Sequence, residues 1–177
     1  LGHAHRDLTR VLGWPSNCPP ISRLDLPRST GFHRSHPVLS PTNVFEHLIQ
    51  HDEARFNSMI RGPDGAVADF WQHMEGPIKD GIHEHFDDQL VPLSIHADFA
   101  PTPKTESMFT ISWSSSVVVK RSTIKHRFIY AVVRKSDFRQ GTWESLVKHL
   151  ISEFNALLVG EFSDQDWLGR PHPRKKE

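Results

Sequence analysis

The chain has 177 residues, with 21 Lys+Arg balanced by 21 Asp+Glu and a single cysteine. That length suits one domain, or one domain with an irregular arm. The balanced charge gives no whole-chain case for nucleic acid or an anionic membrane, and one thiol excludes a disulfide framework or a zinc site built on several thiolates.

Residues 1–41 read as a proline-rich irregular arm. Pro15, Pro19, Pro20, Pro27, Pro37 and Pro41 interrupt any periodic pattern, and each removes a backbone donor. Val11, Leu12 and Trp14 could dock it onto a body. Residues 42–90 read as a helical lead-in. Asn43 with Glu46 makes a capping box, and Val44, Phe45, Leu48 and Ile49 follow at helical spacing. Gly62-Pro63-Asp64-Gly65 is a stop signal, after which Val67, Phe70, Trp71 and Met74 predict a second helix. The polar piece 78–90 predicts one short helix at most.

At Val91 the period changes from helical to alternating. Val91, Leu93, Ile95, Ala97 and Phe99 point one way, and Ser94, His96 and Asp98 the other. Met108–Val119 and Arg127–Arg134 predict two further strands, and the short connections favour an antiparallel meander. Trp143–Val159 then predicts an amphipathic helix, with Thr142 as N-cap and Gly160 as terminator. Its apolar face runs from Trp143 through Leu146, Leu150 and Phe154 to Leu158. Residues 161–177 read as a turn and a basic tail. The fold class is α+β: helical lead-in, three-stranded antiparallel meander, amphipathic helix.

No apolar run approaches a membrane span and no basic-then-apolar leader precedes a cleavage site, so a protein neither membrane-bound nor secreted is expected. The densest ligand cluster, His83-Glu84-His85 with Asp87 and Asp88, reads as a solvated polar turn, and Cys18 as an inert thiol. His-Glu-x-x-His, the phosphate-binding glycine loops and the Gly-x-Ser-x-Gly elbow are absent from the sequence. Arg170, Arg174, Lys175 and Lys176 are candidate phosphate contacts, although four cations at a terminus are usually just solvated. Asp98 stands out, on the most regular strand with His96 on its face. A carboxylate in that setting commonly anchors a divalent metal, and the plainer alternative is a cap on the following turn.

Several segments together carry a family resemblance: Val91-Pro-Leu-Ser-Ile-His-Ala-Asp-Phe-Ala-Pro101, Phe109-Thr-Ile-Ser-Trp-Ser-Ser115, Gly141-Thr-Trp-Glu-Ser145 and Asp164-Gln-Asp-Trp-Leu-Gly-Arg170. With Pro37–Pro41, Val44-Phe45 and Phe70-Trp71 upstream, they resemble dinoflagellate transposon-like repeat proteins over roughly residues 35–172. Those proteins are similar in turn to cut-and-paste (DDE/D) transposases with a ribonuclease-H-like core. The resemblance implies ancestral Mg²⁺-dependent cleavage or joining of DNA strands, with Asp98 as catalytic metal ligand and His96 supporting it. It also implies DNA as partner and a nuclear location, the composition alone allowing a cytoplasmic one.

This sequence departs from the family in two ways. The glycines that flank the family's Asp are Ala97 and Phe99 here. The chain also stops where a fourth strand with a second Asp is expected. Asp164 and Asp166 fall in a turn, and Glu144 and Glu153 on the helix, so none reads as the second ligand. The expectation is therefore a partial ribonuclease-H-like unit, truncated and inactive alone. It would leave an unpaired edge on the third strand of the meander, through which copies could associate. The alternative is a non-catalytic protein-interaction module.

Overall fold

The computed structural model describes residues 19–27, 33–74, 76, 90–100, 107–118 and 126–160. Within the expected arm it contains a β-hairpin, which corrects the irregular reading. Strand β1 (Ser22–Pro27) pairs antiparallel with β2 (His33–Val38), Leu24 facing His36 and Leu26 facing Arg34. Leu24, Leu26 and Val38 are buried in the main core, and burying them outweighs the prolines. Pro27 closes its strand. Pro37 shares an edge with Leu39, whose N–H donates to the Tyr130 carbonyl at 2.8 Å. That edge is turned away from β1, so the missing proline donor removes no bond from the hairpin.

Helix α1 (Pro41–His51) begins earlier than the capping box predicts. Ser40 is its N-cap, and Pro41 fills the first helical position, where a missing N–H costs nothing. Asn43 lies inside the helix, and its amide donates to the Pro20 carbonyl at 3.0 Å and to Ser22 Oγ at 2.9 Å. The residue expected as a cap thus ties α1 to β1. Val44 and Leu48 are buried, whereas Ile49 faces out. Asp52 ends α1 and caps the one-turn helix α2 (Glu53–Phe56), accepting from the Arg55 N–H at 3.0 Å. A π-helical turn, Asn57–Arg61, follows and turns both Met59 and Ile60 inward. The stop lies at 62–65 as expected, with Gly62 and Gly65 at φ 74° and 81°. Helix α3 (Ala66–His73) then buries Trp71, whose indole N–H donates to the Leu90 carbonyl at 2.6 Å.

The meander is present as predicted: β3 (Leu93–Ala100), β4 (Met108–Ser115) and β5 (Phe128–Arg134), antiparallel and in that spatial order. The Val117-Val118 run expected to extend the second strand lies past its end. One face of the sheet carries Phe109, Ile111 and Trp113, with Val133, Ala131 and Phe128 opposite them on β5. A register shift at Ile111/Ser112 sets Tyr130 out of the pairing, so Tyr130 and Ala131 are both buried. Such a bulge re-aims one side chain without breaking the sheet. A 3₁₀ turn, Lys135–Asp137, leads towards helix α4 (Thr142–Val159).

Gly141, at φ 84°, is the N-cap of α4. Thr142, predicted for that role, is the first helical residue, and its hydroxyl accepts from the Arg139 N–H at 3.0 Å. Gly160 terminates the helix at φ 70°, as predicted. The apolar stripe is divided: Leu146 and Leu150 are buried and Phe154 packs on the core, while Trp143, Ile151 and Leu158 stay exposed. Trp113 joins the layers, its ring lying 4.4 Å from Phe128, 5.7 Å from Phe45 of α1 and 6.0 Å from Phe154 of α4. None of the helices among the described residues is long and apolar enough to cross a membrane.

The hairpin also corrects the expected free edge. The outer side of β5, third strand of the meander, is met by β2 and the Leu39 bond. Within the meander, the strand with no strand beside it among the described residues is the first one, β3, and in the hairpin β1 likewise pairs on one side only.

Candidate functional site

Asp98 and His96 share the outer face of β3, as their spacing requires. In register, Asp98 faces Thr110 and His96 faces Ser112 on β4, while Ser94 bonds Ser116 at 2.6 Å. Both titratable side chains are exposed. Among the described residues no three His, Cys, Asp or Glu side chains come together as a metal site. A two-metal centre needs several converging carboxylates, which the described residues do not bring together. Asp98 alone offers one anchoring carboxylate. Ala97 and Phe99, which replace the family's glycines, stand on the other face, where Phe99 packs 4.8 Å from Phe109.

Glu153 is not the missing partner, because the sheet lies between the two carboxylates. Helix α4 packs on the face of Trp113, which is the face of Ile95 and Phe99, whereas Asp98 alternates to the other side. The structure uses Glu153 elsewhere. Its Oε2 accepts from the hydroxyls of Ser40 and Thr42 and from the Thr42 N–H at 3.3 Å. The carboxylate therefore sits on the N-terminus of α1, where unpaired N–H groups and the helix dipole favour negative charge. Its Oε1 is 3.8 Å from His149 Nε2. His149 Nδ1 and the Tyr130 hydroxyl share a hydrogen bond of 2.8 Å, and Tyr130 also donates to the Leu146 carbonyl at 3.2 Å. Burial, then the Glu153 charge, pushes the Tyr130 hydroxyl far above its ordinary pKa and keeps it protonated.

Tyr130, His149, Glu153, Ser40 and Thr42 thus form one polar chain inside the core. Sequence reading missed it. The available signals were His149 and Glu153 four apart on one helix, and a tyrosine in an otherwise apolar strand. With His149 and Tyr130 buried, the chain fastens α4 to α1 and β5.

Arg170, Arg174, Lys175 and Lys176, the 83–88 cluster, Trp14 and Cys18 lie outside the described residues. Comparison with protein-family models, with curated proteins and with solved structures matches this chain to none.

Proposed function

We propose that this chain is a transposase-derived domain, a ribonuclease-H-like β-β-β-α unit whose ancestor cut or joined DNA strands with Mg²⁺, and that it no longer catalyses the reaction. One observation supports this reading most: the first strand of an antiparallel meander that runs into a helix carries an exposed carboxylate, Asp98. The hairpin occupies the β5 side, so any further strand joins the sheet only beside β3. Inactivity is part of the proposal, since a catalytic metal pair needs several converging carboxylates and the resemblance places Asp98 alone. On this reading DNA is held weakly and in a salt-dependent way, and the protein acts in the nucleus.

The test is a Mn²⁺ titration together with a supercoiled-plasmid nicking assay, on the wild type and Asp98→Ala. The expected result is no nicking by either protein, with weak Mn²⁺ binding that the substitution abolishes. Unchanged Mn²⁺ binding in Asp98→Ala removes the metal role and with it the case for this ancestry. The second reading, a non-catalytic interaction module, is favoured by the open β3 edge with Ile95 and Phe99 exposed. Self-association through that edge is compatible with either reading.

A further inference from the structure

We propose that β3 pairs antiparallel with β3 of a second copy of this chain, in the one register centred on Ala97. The inference rests on the self-association reading but not on the transposase one. The donors decide which residues meet. Ser116 N–H donates to the Pro92 carbonyl at 2.9 Å, so at Pro92 the backbone faces β4. Strand alternation then turns the even-numbered residues of β3 to β4, and leaves the N–H and C=O groups of Leu93, Ile95, Ala97 and Phe99 on the outer edge. A two-fold axis at Ala97 sets Ala97 against Ala97 and Ile95 against Phe99. Each of these residues then exchanges both backbone groups with its opposite number.

The side chains select the same register. On the outer face, His96 of one copy falls opposite Asp98 of the other, and the axis repeats the pair. These are non-hydrogen-bonded positions, where side chains approach most closely. Sliding the axis to His96 sets histidine against histidine, and sliding it to Asp98 sets carboxylate against carboxylate. Carboxylates directly opposite are unfavourable, and the register at His96 loses both His–Asp pairs, so both neighbouring registers are selected against. Beside these two residues the same face carries the uncharged Thr110 and Ser112 on β4 and Ile129 and Val132 on β5, and one position further along Arg134, opposite Met108. On the other face the exposed Ile95 and Phe99, at 53% and 45% exposure, would cover one another across the axis.

Sedimentation equilibrium of the full chain tests the register. The buffer contains EDTA and no DNA, and concentrations run up to roughly 1 mM, which reaches the weak contacts that short edges make. A monomer–dimer equilibrium is expected for the wild type. His96→Asp should weaken it by on the order of ten-fold. Combining His96→Asp with Asp98→His should restore it, since the exchanged residues again pair. Ala97→Pro should abolish it while the fold persists, because position 97 bonds only across the outer edge. A wild type that stays monomeric at every concentration overturns the proposal, as does a dimer indifferent to Ala97→Pro. A dimer lost with Ala97→Pro but indifferent to His96→Asp overturns the register. None of these outcomes depends on the fate of the metal test, which uses a different substitution and readout.

Discussion

Glu153 holds more of this structure than any other charged residue described. Its carboxylate serves two hydroxyls and a backbone N–H at the start of α1, and faces His149 from the same helix. Removing it leaves those donors partly buried without their acceptor, at about 1–3 kcal/mol. Glu153→Ala should therefore lower the melting temperature by roughly 3–10 °C for a chain of this size. Glu153→Gln keeps an accepting oxygen and should lose less. Thermal and urea melts of both variants check this, and equal midpoints for wild type and Glu153→Ala would contradict it. The role was hidden in the sequence for a physical reason. Glu153 reads as an ordinary polar position on α4, while its partner Ser40 lies in the segment that the prolines mark as irregular and Thr42 only just past it. Nothing local announces a cap supplied from another helix.

At the scale of elements, period and punctuation carry the most information. The alternation over 91–99, the stop at 62–65 and the three- and four-residue steps after Trp143 each correspond to an element. They are local consequences of side-chain direction. Which side of an element is covered is not local. The regular stripe of β3 predicts a buried face, yet its Ile95 and Phe99 remain exposed, and α4 buries only part of its own stripe. The hairpin was unreadable because proline removes the usual strand signature, although its edge geometry spares the pairing. The stop at 62–65 yields a graded prediction. Both glycines have positive φ, but a Cβ on Gly62 would meet the Val117 carbonyl oxygen at 3.3 Å, and one on Gly65 would meet nothing within 4 Å. Gly65→Ala should cost about 1 kcal/mol from backbone strain alone. Gly62→Ala should cost measurably more in the same urea melts, because the end of β4 must also move. Equal costs would mean that the close approach is immaterial.

For the whole molecule, the seam between hairpin and sheet sets the response to acid. His36 on β2 is buried there, and desolvation, then the Arg34 charge, lowers its pKa, against smaller raising effects of a Val132 backbone bond and of Asp137. A histidine with a lowered folded pKa contributes stability that is complete above the unfolded value of about 6.5. That stability is lost as pH falls through the folded value, because the unfolded chain takes the proton first. Unfolding free energy should thus decline on acidification from about pH 7 towards pH 5. His36→Phe should flatten the profile across that window, and an unaltered slope would place the acid sensitivity elsewhere. The Arg34–Asp137 bridge along the same seam, at 2.5 Å, is more than a third exposed and adds at most a fraction of a kcal/mol.

The Glu153 contact also fixes an order of events during synthesis. It joins positions 113 and 111 residues apart, so α1 emerges from the ribosome long before its cap exists. An isolated helix of this length is marginal in water. Until residue 153 has been made and α4 has docked, the first turn of α1 must fray and re-form. The nascent chain therefore passes the synthesis of residues 52–153 with α1 unfinished, in the state in which chaperones and proteases would meet it.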